Sequence, residues 1–300
     1  MLKTMAQLMR QAPRLDPGRF RVARWVGRNW ARLSYGYRVE PTWLEINQVC
    51  VPVAGLPKGF EGLRIAQLSD FHLSRRVPLA YVRRCIEKTN RLRPDLVALT
   101  GDYVHRGVRY IAAMARMLAE LEAPLGVYAV LGNHDYAVRS RIGLRRSRRL
   151  PRLIRAALEA KGICVLANDG VVLKRGGDAL GLVGVEDLWS RRCELASPLA
   201  AIDDELPRIV LAHNPRTVEL TAGRRCDLML SGHTHGGQIN LPGIGAPMLS
   251  RRMRRYSAGL YQVGSTYLYV NKGIGYGMRF RYRSRPEVAI LELTAADTGA

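Results

Sequence analysis

The chain has 300 residues, of which 47% are hydrophobic, so it is long enough to bury a substantial core in one large domain. Its five cysteines form no CxxC pair, which argues against a disulfide framework and a thiolate zinc site and favours a reducing compartment. The formal net charge of +22 is extreme. Most of the basic excess falls in three stretches, 1–38, 139–155 and 251–285, so the rest of the chain is close to neutral.

Residues 1–40 are predicted to be a basic amphipathic N-terminal segment made of two short pieces, divided by Pro13 and Pro17. On a helix, the arginines of the second piece share one side and its apolar residues share another: Arg21, Arg24, Arg28 and Arg32, and Val22, Val26, Trp30 and Leu33. This pattern is typical of a helix in a membrane interface, and equally of a helix packed on the domain or on a second subunit. The segment has no apolar run of about 18 residues and no signal-peptide centre, so we expect neither a spanning helix nor export.

Residues 41–300 are predicted to form one α/β domain, which begins with a strand over 44–53. Strands are then expected over 63–68, 95–99 and 126–131, with helices over 78–92, 108–122 and 151–161. Polar and glycine residues follow each of the three strands. In α/β folds the chemistry gathers at the carboxyl ends of strands, and this is where those residues stand.

The second half of the chain predicts another sheet with a more antiparallel character. Short strands separated by glycine turns are expected at 163–166, 171–174 and 179–185. Later strands at 208–212 and 227–231 end in histidine-bearing loops, and strands near 260–264, 267–271 and 287–293 complete the domain.

Five of the six histidines lie in strand-end loops beside a carboxylate, an amide or a glycine: His72, His134, His213, His233 and His235. Imidazole, carboxylate and one amide oxygen without thiolate suit divalent Mn, Fe or Zn. Two ions about 3.5–4 Å apart need a bridging ligand, for which a carboxylate is the natural choice. The spacing of two residues in D-x-H and H-x-H puts both side chains on one side of an extended segment.

The ordered motifs D-x-H, GD, GNHD, a lone His and GHTH resemble those of the calcineurin-like metallophosphoesterase family over roughly residues 60–295. A closer resemblance, to the bacterial membrane-associated branch of YkuE-, YaeI- and LpxG-type proteins, rests on "IAQLSDFHL", "SGHTHGGQINLPGIG", "YSAGLY" and "YVNKGIGYGMRFRYRSRPEVAILEL". The resemblance implies a four-layer α-β-β-α sandwich of two mixed sheets flanked by helices.

The resemblance also implies a role for each residue that matches a motif. It assigns two half-sites and a bridge: Asp70, His72 and His235 for the first metal, Asn133, His213 and His233 for the second, and Asp102 between them. His134 would not be a ligand; it would contact the phosphate and protonate the leaving oxygen. Asp135 beside it would orient or charge the His134 imidazole. The cofactors would be two divalent ions, manganese first, with iron or zinc as alternatives.

The function predicted from these residues is hydrolysis of a phosphodiester or pyrophosphate bond by a hydroxide held between two metal ions. The resemblance and the basic segments favour a lipid-linked substrate, with UDP-2,3-diacylglucosamine as the candidate, and a peripheral position on the anionic inner, cytoplasmic face of the cell membrane. Arg75, Arg76 and His105 are candidate substrate contacts, although each also fits an ordinary surface position.

Two alternatives remain open from the sequence. The positive charge, including the arginine-rich run 139–155, would also attract nucleic acid, which allows a nuclease or nucleotide phosphodiesterase. No helix-turn-helix, zinc-finger or RNA-binding signature supports sequence-specific recognition. The other alternative is a metal-free interaction scaffold with the same fold.

Overall fold

The computed structural model of the chain describes residues 17–138 and 147–296, with side chains from Gly27 onward. The described strands are β1 Glu45–Val53, β2 Arg64–Leu68, β3 Leu96–Leu99, β4 Val127–Ala129, β5 Cys164–Val165, β6 Asp169–Arg175, β7 Asp178–Gly184, β8 Arg208–Leu211, β9 Leu228–Ser231, β10 Gly259–Val263, β11 Thr266–Val270 and β12 Glu287–Ala295. The α-helices are α1 Pro17–Arg38, α2 Leu79–Arg91, α3 Ile111–Leu118, α4 Arg149–Glu159, α5 Ala196–Ala200 and α6 Arg251–Arg254.

The strands form two six-stranded mixed sheets. The first has the order β1-β12-β2-β3-β4-β5, in which β12 runs antiparallel to β2 and the other pairs are parallel. The second has the order β10-β11-β9-β8-β7-β6. It is antiparallel only in the edge hairpins β10–β11 and β6–β7, and its central pairs are parallel. The expected antiparallel character is therefore confined to the edges of the second sheet.

The two sheets share one apolar core, which makes the fold a four-layer sandwich. Side chains of the first sheet, such as Ile65 and Ala98, meet Leu182 and Ile209 of the second in one buried cluster. A separate cluster joins the outer face of the first sheet to α2, α3 and α4, and a third covers the second sheet. Strands β2, β3, β8 and β9 are almost wholly buried, as expected for apolar runs covered on both faces. The predicted α-β-β-α architecture is confirmed.

Helix α1 packs against the domain near its C-terminal end. Gly36 lies against the Phe280–Arg281 segment, and its carbonyl accepts the Arg281 N–H at 2.9 Å. Trp30 and Leu33, which precede Gly36 in the helix, are exposed. No described helix is long and apolar enough to cross a membrane. The predicted break at Pro13 and the arginines of 139–146 lie outside the described residues.

Candidate metal centre

The candidate site lies where strand ends of both sheets meet. Asp70 and Asp102 follow β2 and β3 of the first sheet, and Asn133 follows β4. His213 follows β8 and His233 follows β9 of the second sheet. Strands β2, β3 and β4 run parallel to one another, and so do β8 and β9. The carboxyl ends of these strands therefore reach one edge of the sandwich. The structure brings all seven predicted ligands together at that edge.

The first half-site brings two imidazole nitrogens and one carboxylate oxygen close together. The Nε2 atoms of His72 and His235 are 2.9 Å apart. The Oδ1 atom of Asp70 lies 3.4 Å from His235 Nε2 and 3.8 Å from His72 Nε2. This carboxylate oxygen is buried and has no hydrogen-bond partner. A buried acceptor without a donor is costly, and a cation at the centre of the three atoms would satisfy it.

The second half-site is built in the same way around an amide oxygen. The Oδ1 atom of Asn133 is 2.8 Å from His233 Nδ1 and 3.1 Å from His213 Nε2. The Asn133 amide nitrogen donates to the carbonyl of Val138, which turns Oδ1 toward the imidazoles. The Nδ1 of His213 lies 2.7 Å from the Thr100 carbonyl; as the donor in that bond it leaves Nε2 free to bind a cation.

Asp102 lies between the two half-sites. Its Oδ2 is 3.5 Å from His72 Nε2 and 3.4 Å from His213 Nε2, and its Oδ1 accepts the backbone N–H of His134 at 2.8 Å. One carboxylate oxygen thus reaches a ligand atom of each half-site, which is the position of a bridging ligand. Two groups of these residues have ligand atoms close enough to hold a metal ion: Asp70, His72 and His235, and Asp70, Asp102 and His213.

Most of the candidate ligands have an unusual backbone conformation. Five of the seven have positive φ angles, from 45° to 73°: Asp70, His72, Asp102, His233 and His235. Non-glycine residues rarely adopt this left-handed conformation, and when they do it is often at functional sites held by the surrounding structure. Here it aims successive side chains inward from the tight loops after the strands.

Two glycines allow these loops to approach one another. A Cβ atom on Gly132 would collide with Asp102 and lie 2.8 Å from His213 Cε1. A Cβ on Gly232 would collide with Ser69 and the Asp70 carboxylate. The glycines of the GNHD and GHTH motifs are therefore required by close packing of one ligand loop on another.

The pKa of His213 lies well above its usual value, because Asp102 and two further carboxylates outweigh the opposing effect of burial. At the other three imidazoles burial dominates. It lowers the pKa of His233 to about 3, with the neighbouring His213 as a further cause, and it lowers the pKa of His72 and His235 well below the usual value. These imidazoles are neutral, which is the form that binds metal. Burial also raises the pKa of Asp70 to about 6, and the Asp102 carboxylate adds to the rise. Bound cations would relieve this repulsion between carboxylates.

His134 stands beside the half-sites, as predicted, with its side chain half-buried in the same pocket. Its ring stacks on His105 with 5.4 Å between centroids and meets the His72 ring edge-on at 4.7 Å. The His134 Nδ1 is 3.4 Å from the His105 carbonyl. His105, one of the candidate substrate contacts, is thus brought to the site as a neighbour of His134.

Asp135 has a different contact from the one expected. Its carboxylate accepts the backbone N–H groups of Gly132 and Asp102 at 2.9 Å and of Tyr103 at 3.0 Å. The side chain therefore faces the backbone of the two loops, and the prediction that it orients the His134 imidazole is wrong. Burial, together with the Asp102 carboxylate, raises the pKa of Asp135 to about 8, against the opposing effect of its N–H donors.

Arg75 and Arg76 lie outside the pocket formed by the candidate ligands. They line a neighbouring recess together with Tyr37, Met278 and Arg279. Both are exposed, and Arg76 donates to the Gly277 carbonyl at 3.0 Å.

The pocket contains residues that sequence reasoning missed. It has a volume of about 670 Å³, and its walls include Trp189 and the segment 248–253. Trp189 meets the His233 ring edge-on at 4.4 Å. Trp189 follows the carboxyl end of β7. The expectation that functional residues follow the carboxyl ends of strands therefore also indicates this residue. Arg281, whose buried guanidinium lies 3.4 Å from His235 Nδ1 and donates to the carbonyl of Gly275, gave no such signal.

Comparison with known proteins gives consistent matches. A family model described as calcineurin-like phosphoesterase matches residues 63–237. Phosphodiesterase YaeI of Escherichia coli (strain K12) is 36% identical over 87% of this chain and 92% of its own length. The metallophosphoesterase YkuE of Bacillus subtilis (strain 168) is 31% identical over 88% and 91%. The UDP-2,3-diacylglucosamine pyrophosphatase LpxG of Chlamydia trachomatis is 29% identical over 90% and 93%.

Proposed function

Since this chain belongs to the calcineurin-like phosphoesterase family and is a hydrolase of phosphoric ester bonds, we propose that it cleaves a phosphodiester or pyrophosphate bond with two divalent cations. Asp70, His72 and His235 would hold one cation, and a second set would hold the other: Asn133, His213 and His233. The observation that carries the proposal is the position of Asp102 Oδ2, within 3.5 Å of one imidazole nitrogen of each half-site.

When bound, the two cations would supply an activated water and offset the negative charge of the phosphoryl group. The residues of the protein position the proton donor and protonate the leaving oxygen. The hydrogen bond from the backbone N–H of His134 to Asp102 Oδ1 keeps the His134 loop next to the proposed bridging carboxylate. The half-exposed His134 ring then donates a proton to the leaving oxygen, while stacking on His105 limits its rotation.

We further propose a lipid-linked substrate at the membrane surface, with UDP-2,3-diacylglucosamine as the candidate, and manganese as the native metal. The support for the substrate is the similarity to LpxG, whose name gives this activity, together with the basic and exposed apolar residues of α1. The proposed location is the inner, cytoplasmic face of the cell membrane, where anionic lipids attract basic segments.

The test pairs metal content with turnover in two variants. In Asp102→Ala the bridge is lost, so we expect loss of bound manganese and of hydrolysis of a soluble chromogenic phosphodiester. In His134→Ala we expect both ions to stay and kcat to fall by about two to four orders of magnitude, since only the proton donor is removed. Elemental analysis and steady-state kinetics give the two readouts.

Retained turnover in Asp102→Ala would overturn the two-metal assignment. Wild-type protein that binds no transition metal and hydrolyses nothing would favour the scaffold alternative. Efficient hydrolysis of soluble diesters without hydrolysis of UDP-2,3-diacylglucosamine would remove the lipid-linked substrate and leave the phosphoesterase proposal standing.

A further inference from the structure

A hairpin-like loop between β9 and β10 carries apolar side chains into solvent. Residues 239–248 fold back through paired backbone hydrogen bonds between Leu241 and Gly245, both at 2.8 Å. At its tip Ile244 is 63% exposed, and Leu241 and Met248 are also exposed. Large apolar side chains grouped on one loop commonly mark a surface that contacts a protein or a membrane.

The exposed side of α1 faces the same region. A groove of about 450 Å³ runs between the helix and the loop, with Leu33 on one wall and Leu241, Pro242 and Phe280 on the other. Trp30, about one helical turn before Leu33, is 71% exposed. The helix and the loop therefore present their apolar side chains as parts of one surface.

This surface continues to the mouth of the metal pocket. Met248, at the end of the loop, lines that pocket together with Arg251 and Arg252 of α6. Both arginines are exposed, as are Arg28 and Arg32 on α1. Exposed apolar side chains thus have arginines beside them both on α1 and at the candidate active site.

We propose that the loop 239–248 and the exposed side of α1 form a docking face that seats the mouth of the metal pocket on an anionic lipid bilayer. Apolar side chains beside basic ones match the acyl boundary and the anionic headgroups of such a surface. The loop 239–248 has no acidic residue, so a second copy of the same face would meet these four arginines with like charge, whereas an anionic bilayer attracts them. The role of the face in catalysis rests on the membrane-surface substrate proposed above; binding to lipid does not.

The experiment is flotation of the full-length chain with vesicles of phosphatidylcholine alone or mixed equally with phosphatidylglycerol. We expect binding to the mixed vesicles and weakening of that binding by salt. Ile244→Glu on the loop and Leu33→Glu on α1 should each reduce the partition coefficient by about tenfold or more, because each replaces an inserted apolar group with a charge. Circular dichroism checks that both variants are folded.

Val172→Glu is the matched control. Val172 is 42% exposed on edge strand β6 and lines neither the groove nor the metal pocket. It should leave vesicle binding unchanged. Loss of binding in Leu33→Glu but not in Ile244→Glu would overturn the proposal, because the loop would then not take part.

Two further outcomes separate this proposal from the enzymatic one. Hydrolysis of a soluble diester by protein that does not bind mixed vesicles would overturn the docking face alone. Vesicle binding by protein without phosphoesterase activity would support the face and contradict the function. A concentration-dependent dimer that Ile244→Glu dissociates, without vesicle binding, would show that a second copy of the chain occupies this surface and would overturn the bilayer assignment.

Discussion

At the scale of single residues, Asp135 shows how the candidate site depends on a side chain whose hydrogen bonds come from backbone N–H groups. Its two oxygens accept N–H groups from Gly132, Asp102 and Tyr103. These bonds tie the loop after β4 to the loop after β3. The same two loops carry Asn133 and Asp102, so Asp135 holds one ligand of a half-site at a fixed distance from the bridge.

We predict that Asp135→Asn lowers the free energy of unfolding by about 2–4 kcal/mol, since an amide nitrogen would face backbone N–H donors. Manganese affinity should fall with it. Urea unfolding of the metal-free protein and metal titration measure the two effects, and Asp203→Asn on the exposed surface is the control. If kcat alone dropped, with stability and metal affinity intact, Asp135 would instead act on His134.

The residue types of the site could be predicted because metal chemistry restricts them. Carboxylate, imidazole and amide groups at strand ends marked the candidate residues, and the resemblance to the family divided them into two half-sites. The direction of the Asp135 side chain could not be predicted, because adjacency in sequence to His134 says nothing about which way a loop residue turns. The left-handed backbone conformation of Asp70 and His72 could not be predicted either, because tertiary packing imposes it on residues that disfavour it.

At the scale of elements, Gly36 marks a close approach of α1 to the domain. A Cβ atom on Gly36 would lie 2.8 Å from the Arg281 carbonyl oxygen and 2.9 Å from the Phe280 ring. Arg281 itself is buried, and its guanidinium donates to the carbonyls of Gly273 and Gly275. The segment that Gly36 contacts therefore also reaches His235 of the candidate site.

We predict that Gly36→Ala lowers stability by about 1–3 kcal/mol, because the helix must shift to admit the methyl group. Gly27→Ala is the matched control in the same helix, since a Cβ there meets nothing within 4 Å. It should raise helix stability by about 0.5–1 kcal/mol. Urea unfolding and the rate of tryptic cleavage within α1 measure the two changes. Equal effects of both substitutions would mean that α1 is not held at Gly36.

Element positions were largely predictable, whereas strand pairing was not. The apolar runs located strands such as β8 and β9 within one or two residues of their bounds. Apolar periodicity does not encode the direction of a neighbour, so the parallel centre of the second sheet was missed. That direction follows from connections such as the one between β7 and β8, which runs through α5 and returns the chain to the same end of the sheet.

At the scale of the whole molecule, the candidate site spans the interface between the two sheets. Asp70, Asp102 and Asn133 come from loops of the first sheet, and His213 and His233 from loops of the second. Without cations the carboxylates Asp70 and Asp102 repel each other at this junction, and burial together with Asp102 raises the pKa of Asp70 to about 6. Metal binding would replace this repulsion with bonds that link one sheet to the other.

Metal removal should therefore destabilise the entire sandwich, not only its loops. At about a hundredfold excess over Kd, each manganese ion should add about 2.7 kcal/mol to the free energy of unfolding. Calorimetry in manganese and in chelator should show a single transition that shifts by several degrees, because the ligands from both sheets are lost together. In Asp102→Ala, which lacks the bridge, manganese should leave Tm almost unchanged. A manganese-dependent shift of equal size in that variant would mean that the stabilising ions bind elsewhere on the protein.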